Sequence, residues 1–261
     1  MNRFIELPAE GRLIIVTDIH GNWDDWYKYT REIWDMNDEN CHILFTGDYI
    51  HGLKYSEDMS LDILDEIDKF WNKSNFHILL GNHELMQILR KDVYKDEINQ
   101  TKTFLEHVED KCDFFGDVFS WQIMYEETMK GYNWYAKTQN GIFIMHAGPH
   151  DIAMQKLKDK NHTILSMGTT RNNENLKIIE DFMWARPWDD YTPSDIDKFL
   201  STVDCHTMVV GHTPCNFGYG VFGSQIILSS SFGADRKCYI DIPLDADVRN
   251  VDDVAKYIQK L

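Results

Sequence analysis

Five short apolar runs, each breaking off into polar residues, constrain this chain more than any other feature. Leu13-Ile14-Ile15-Val16-Thr17 ends at Asp18-Ile19-His20-Gly21-Asn22. His42-Ile43-Leu44-Phe45-Thr46 ends at Gly47-Asp48, and Phe76-His77-Ile78-Leu79-Leu80 ends at Gly81-Asn82-His83-Glu84. Gly141-Ile142-Phe143-Ile144-Met145 delivers His146, and Thr207-Met208-Val209-Val210 delivers Gly211-His212. Short β-branched and apolar runs read as buried strands, and most of these carry a glycine where the backbone must turn. Helical spacing follows the first three: Trp23 to Met36 behind the N-cap Asn22, about Glu57 to Trp71, and a helix from Glu84 or Leu85. Three consecutive strand–turn–helix units predict an α/β layered fold with parallel pairing. In such sheets ligands bind at the carboxyl ends of the strands, where the Asp, Asn and His residues collect.

The rest of the chain is less regular. Asp92 to Asp113 and Phe119 to Lys137 are expected to be helical, with a break at Gly116. They form a helical insertion, about 91–137, packed on the sheet; a cap shaping the substrate pocket is the alternative. Asn161 to Asn175 reads as a loop and Glu174 to Met183 as a helix. Trp184-Ala185-Arg186-Pro187-Trp188 clamps one arginine between aromatics. Ser194 is expected to cap a helix running to about Ser201. Gln225 to Leu228 and Lys237 to Asp241 read as late, antiparallel strands, and Val251 to Leu261 as a short surface helix. No repeat or long linker divides the chain, so one domain over 1–261 is expected.

Composition narrows the function. Hydrophobic residues make up 43%, with 8 Trp, 12 Tyr and 14 Phe, enough for a sizeable core. With 26 Lys plus Arg against 43 Asp plus Glu, the net charge is −17. A field of that sign repels nucleic acids and anionic membranes, so neither is an expected partner. A phosphorylated substrate needs local positive charge. The five scattered cysteines form no CxxC pair and read as reduced thiols. Without a signal-like or membrane-length apolar run, a cytoplasmic location is expected.

Each strand-end residue alone has an ordinary reading, as a helix cap or a satisfied core histidine. Five coincidences of type and context favour one mixed oxygen–imidazole site. Oxygen ligands suit Mg²⁺ and Mn²⁺, and imidazoles move the preference towards Mn²⁺, Fe and Zn²⁺. Asp48, the sole ligand from its strand, is the natural bridge between two ions.

On Asp18-Ile19-His20-Gly21-Asn22, Gly47-Asp48, Gly81-Asn82-His83-Glu84, His146-Ala147-Gly148 and Gly211-His212-Thr213 the chain resembles the calcineurin-like metallophosphoesterases. Within them it is most similar to the phosphoprotein phosphatase and symmetrical diadenosine-tetraphosphatase branch. The resemblance implies a four-layered α/β/β/α sandwich and two divalent ions, Mn²⁺ foremost. It implies that Asp18 and His20 bind the first ion, Asp48 bridges, and Asn82, His146 and His212 bind the second. His83 then protonates the leaving oxygen while a metal-bridging hydroxide attacks.

Departures from the branch bear on function. Gly47-Asp48-Tyr49-Ile50-His51-Gly52 is one residue shorter than the branch's second motif and lacks its Asp-Arg pair. His51 either replaces part of that pair or is a surface turn residue. Arg186 is the best remaining phosphate clamp, with packing between its Trp neighbours as the alternative; Arg171 is weaker. Leu228-Ser229-Ser230-Ser231-Phe232-Gly233 matches neither subgroup. The expected function is a phosphoesterase acting on a phosphorylated protein, of serine/threonine phosphatase type. The alternative is a diadenosine-tetraphosphatase-like nucleotide hydrolase, with Tyr125 to Tyr135 available to stack a base. A non-catalytic scaffold ranks below both, and a nuclease is disfavoured by the charge.

Overall fold

The structure is a computed structural model and describes residues 4–52, 57–112, 117–159, 173–232 and 235–261. Its strands, in chain order, are β1 (Phe4–Glu6), β2 (Arg12–Val16), β3 (Cys41–Phe45), β4 (Phe76–Ile78), β5 (Tyr94–Lys95), β6 (Ile98–Asn99), β7 (Tyr135–Lys137), β8 (Ile142–Met145), β9 (Thr207–Val210), β10 (Tyr219–Phe222), β11 (Gln225–Leu228), β12 (Cys238–Pro243) and β13 (Ile258–Lys260). The five motif-bearing strands are β2, β3, β4, β8 and β9, but they lie in two sheets. One has the order β13-β12-β2-β3-β4 and the other β1-β7-β8-β9-β11-β10. Within each, the motif-bearing neighbours run parallel, β2 with β3 and β3 with β4, and β8 with β9.

Period-two alternation builds the layers, because successive strand residues face opposite sides. Leu13, Ile15, Leu44, Ile142, Ile144, Val209, Ile226 and Ile240 form one buried cluster, which fills the space between the sheets. Their neighbours Ile14, Val16, Ile43, Phe45, Phe143, Met145, Met208 and Val210 belong to the other cluster, packed with helix residues such as Trp26, Ile63, Ile67, Phe182 and Phe199. Helices therefore cover the outer faces, as a four-layered sandwich requires. Thr17 fastens sheet to sheet: its N–H donates to Ser230 Oγ at 3.0 Å and its hydroxyl to Leu228 O at 2.9 Å.

Several elements differ from the sequence reading. The helix from Trp23 is α-helical only to Tyr27 and continues as a π-helical turn over Lys28–Ile33. The second helix is Ser60–Phe70, and the third begins at Asn82. Asp92 to Asp113 is not one helix. Tyr94–Lys95 and Ile98–Asn99 pair as a hairpin, with Asp96 and Glu97 at φ 47° and 67°. Two left-handed residues make a tight hairpin turn, and Gln100–Cys112 is the helix. Helix Val118–Met129 stops well short of Lys137, because Tyr135–Lys137 pairs with β1 and β8. Gly116 lies outside the described residues. The expected Glu174 helix spans Asn173–Trp184. The next helix is capped by Thr192 rather than Ser194, with Pro193 at its first position, and reaches Val203. β11 is parallel to β9, and β12 is antiparallel to β2. The tail is a helix over Val251–Ala255 followed by a strand, since Ile258–Lys260 finds an edge on β12. None of the five cysteines forms a disulfide. No helix among the described residues is long and apolar enough to cross a membrane.

Gly47 has φ +117°, and a Cβ there would lie 2.4 Å from Gly81 N and 2.5 Å from its Cα. The second and third motif turns thus touch backbone to backbone, and only glycine permits it. Gly47→Ala is expected to lower the unfolding free energy by about 3 kcal/mol, combining backbone strain with overpacking. Urea denaturation checks this; a loss under about 0.5 kcal/mol would show that the two turns are free to separate.

Candidate active site

Both sheets end at one cavity, lined by Asp18, His20, Asp48, Asn82, His83, His212, Lys95, Trp184 and Arg186 among others; His146 is buried beneath. The turns that carry these residues are strained. Asp18, His20, Asp48, His51 and His212 all have positive φ, between 46° and 67°. Asp, Asn and His tolerate that region better than most residues, and such strain clusters at functional sites.

One carboxylate keeps the turns together. Glu84 Oε2 accepts from Asp48 N at 2.8 Å and Gly81 N at 3.0 Å, and Oε1 from Tyr49 N at 2.8 Å and Ile50 N at 3.2 Å. Asp48 Oδ1 in turn accepts from His83 N at 3.1 Å. Sequence reading missed this use of Glu84. The available signal was its place three residues after Gly81, where a glutamate reaches back over a helix start.

Asp48 Oδ2 sits at the middle, 3.4 Å from His20 Nε2, 3.5 Å from His146 Nε2 and 3.9 Å from His83 Nε2. Ligand atoms of His20, Asp48 and His83 form one group within 4.8 Å of one another, and those of Asp48, His146 and His212 form a second. Asp18 stands beside them, its carboxylate accepting from His212 N at 2.9 and 3.1 Å. The expected ligands therefore lie together, with two differences: Asp18, expected on the first ion with His20 and the bridging Asp48, belongs to neither tight group, and His83, expected as the proton donor, stands in the group of His20 and Asp48.

The donors fit a cation. His146 Nδ1 donates to Thr46 O at 3.2 Å, leaving Nε2 as a lone pair. That lone pair faces Asn82 Oδ1 at 2.7 Å, and His212 Nδ1 faces the same oxygen at 3.0 Å. Asn82 Nδ2 and His212 Nε2 are buried without a partner among the described residues. Acceptors crowded against one another leave buried groups unsatisfied, and a divalent ion would take up Asn82 Oδ1 and the imidazole lone pairs that face it. Burial pulls the His20, His83, His146 and His212 imidazoles below their usual range, which keeps them neutral, as ligation requires. Burial, with help from their mutual repulsion, pushes Asp18 up to about 6, and burial pushes Asp48 up to about 7. A bound cation relieves both.

His51 is not a surface turn residue. It is buried, with Nδ1 2.8 Å from His83 Nδ1 and Nε2 3.2 Å from Gln87 Oε1. Gln87 Oε1 accepts from His51 Nε2–H, so His51 Nδ1 accepts and the shared proton rests on His83 Nδ1. His83 Nε2 then faces the cavity. Burial pulls the His51 imidazole down to about 3, so the pair is neutral.

Arg186 lines the cavity, held by its backbone N–H on Asp190 Oδ2 at 2.8 Å. None of the cation–π contacts among the described residues involves it. Arg171 lies outside the described residues. Tyr125, Tyr132 and Tyr135, expected as base-stacking candidates, are buried in the core. Lys95, which the sequence did not single out, reaches the site from the β5–β6 hairpin; burial lowers its ammonium to about 8. The Ser229–Phe232 segment acts structurally beside the site, with Ser231 Oγ on Asp25 Oδ2 at 2.6 Å and Phe232 N on Asp18 O at 3.0 Å.

Strand-end carboxylates, imidazoles and an amide gathered between two sheets define a metal-dependent phosphate-ester hydrolase. The chain belongs to the calcineurin-like phosphoesterase family, whose model matches residues 11–216. Among solved structures it is similar to a protein serine/threonine phosphatase from Saccharomyces cerevisiae with similarity to human phosphatase PP5. Identity there is 17% and the TM-score 0.68, covering 100% of this chain and 83% of the other. It is also similar to a cold-active protein-tyrosine phosphatase of a psychrophilic Shewanella, at 16% identity and TM-score 0.64, covering 100% and 82%. These likenesses show the fold. No curated protein matches.

Protons would compete with a metal ion held by Asp18 and Asp48. Because both carboxylates are raised, Mn²⁺ affinity is expected to climb as pH rises through 6 to 7. The slope approaches about tenfold per pH unit for each proton displaced. Calorimetry in buffers of different ionisation enthalpy should detect proton release near the lower pH and little well above it. A pH-independent affinity would contradict this account.

Proposed function

We propose that this protein removes phosphoryl groups from phosphorylated serine and threonine side chains of proteins, using two divalent cations, Mn²⁺ foremost. Asp18, His20, Asp48, Asn82, His146 and His212 are the residues to hold them. The observation that carries the reading is the size of the cavity over the cluster, about 160 Å³. Pockets for whole drug-sized ligands span about 300–1,000 Å³, so this one suits a phosphoryl group and the first atoms of its ester. The yeast neighbour is named a serine/threonine phosphatase and the Shewanella neighbour a tyrosine phosphatase, which supports a phosphoprotein substrate and leaves the side chain to the test below. Burial of Tyr125, Tyr132 and Tyr135 removes the support for a dinucleotide substrate.

When bound, such cations lower the pKa of water and offset charge on the phosphoryl oxygens. The chain's own residues do the rest. The Asp48 carboxylate joins the two halves of the site through Oδ2. The Arg186 guanidinium offers a fork to non-bridging phosphoryl oxygens. His83, its Nδ1–H donating to His51, presents the Nε2 lone pair to the cavity, placed to take the proton that the attacking water gives up and hand it to the departing ester oxygen.

Turnover of phosphoserine, phosphothreonine and phosphotyrosine peptides and of diadenosine tetraphosphate, side by side with Mn²⁺, tests the substrate. The phosphoserine and phosphothreonine peptides are expected to have the highest kcat/KM; a dinucleotide preferred by orders of magnitude would overturn the reading. His83→Asn is expected to lower kcat by about 10²–10⁴-fold, with metal content unchanged. His51→Ala should slow esters of poor leaving groups far more than aryl phosphates, because only the former need the proton. Equal losses on both would remove His51 from the proton path.

A further inference from the structure

We propose that Lys95 is a substrate-binding residue whose ammonium pairs with the phosphoryl group opposite Arg186 and selects dianionic monoesters. The inference deepens the phosphoesterase reading above and rests on it.

Lys95 reaches the site from a separate part of the chain. It is delivered by the β5–β6 hairpin, outside the strand-end turns that supply the other site residues. Its Nζ lies 3.2 Å from His20 Nδ1 and 3.3 Å from Nε2, and 4.0 Å from the centre of the Phe232 ring. It lines the same cavity as Asp48, His83 and Arg186. An ammonium taken out of water needs compensation, and in a chain of net charge −17 carboxylates are plentiful. Yet no ion pair of Lys95 occurs among the described residues, and there its ammonium rests against the His20 imidazole.

That partnership is temporary on chemical grounds. His20 Nδ1 donates to Ile50 O at 2.9 Å, and Lys95 Nζ, almost equally far from both ring nitrogens, lies against the face of the imidazole. The in-plane Nε2 lone pair stays free for a metal ion. A cation there repels the ammonium. The ammonium, beside the Phe232 ring, then has the cavity as its outlet. Arg186 lines the same cavity, also without an ion pair among the described residues. Two unpaired cations on one small cavity suit an anion with several exposed oxygens. A monoester phosphoryl group, with two charges, gains more from the second cation than a diester, with one.

The test uses Mn²⁺-loaded wild-type, Lys95→Met and Lys95→Arg proteins. Metal content is measured for each, and inorganic phosphate binding is followed by calorimetry. KM and kcat/KM are compared for p-nitrophenyl phosphate and bis-p-nitrophenyl phosphate. Losing a charge-assisted hydrogen bond should weaken phosphate binding by about 10- to 100-fold in the Met variant. The monoester kcat/KM should fall several-fold more than that of the diester, metal content should hold, and Arg should recover most of the affinity. Phosphate affinity within twofold of wild type in the Met variant overturns the inference. So does a changed metal stoichiometry, which would assign Lys95 to the metal site. A wild-type protein that neither binds phosphate nor hydrolyses the monoester overturns the phosphoesterase reading itself. If the Met variant does not fold, the Arg variant carries the decision: monoester KM near wild type upholds the inference, and loss equal on monoester and diester rejects it.

Discussion

The Glu84 carboxylate is the interaction on which the site depends. It accepts four backbone N–H groups, from Asp48, Tyr49, Ile50 and Gly81. Those groups belong to the turns after β3 and β4, which carry Asp48, His51, Asn82 and His83. Buried N–H groups without acceptors cost about 1–3 kcal/mol each, so one side chain holds both turns in a single arrangement. Burial and the nearby Asp48 charge push Glu84 up to about 7. A buried carboxylate in this position is therefore costly, and its retention is understandable through the backbone it organises. The glycines at Gly47 and Gly81 complete the lock, since a Cβ on either would strike the other turn.

Around that lock the polar groups are arranged for occupants that carry positive charge at the base and negative charge above. Asn82 Oδ1 faces two imidazole nitrogens, and Asp48 Oδ2 faces three. Arg186 and Lys95 supply the positive side of the cavity. This local pattern reconciles an anionic substrate with a strongly acidic chain: the long-range field is screened beyond about 10 Å at ordinary salt, whereas direct contacts decide binding within the cavity.

Much of this was legible along the chain. The strand-end motifs Asp18-x-His20, Gly47-Asp48, Asn82-His83, His146 and Gly211-His212 could be read because each follows an apolar run of the right length, and local periodicity reports local structure. The family match over residues 11–216 agrees with that reading. What failed was local periodicity under tertiary override. Tyr135–Lys137 carries helix-compatible residues but pairs with β1 and β8. The Tyr94–Asn99 hairpin hides in a polar stretch, because its turn rests on Asp96 and Glu97 at positive φ rather than on glycine. Missing that hairpin meant missing Lys95.

The sequence by itself determined the residue types of the site, the strands that carry them and the acidic character of the whole. Those properties depend on neighbours in the chain: apolar runs, turn glycines and charge. Only the tertiary structure decided which motif strand enters which of the two sheets, that His51 turns inward onto His83, and that Tyr125, Tyr132 and Tyr135 belong to the core. It also decided that Lys95 meets His20 across 75 residues of chain. Each of these is a contact between distant segments, fixed by packing and hydrogen-bond satisfaction, and the order of residues along the chain carries no local signature of it.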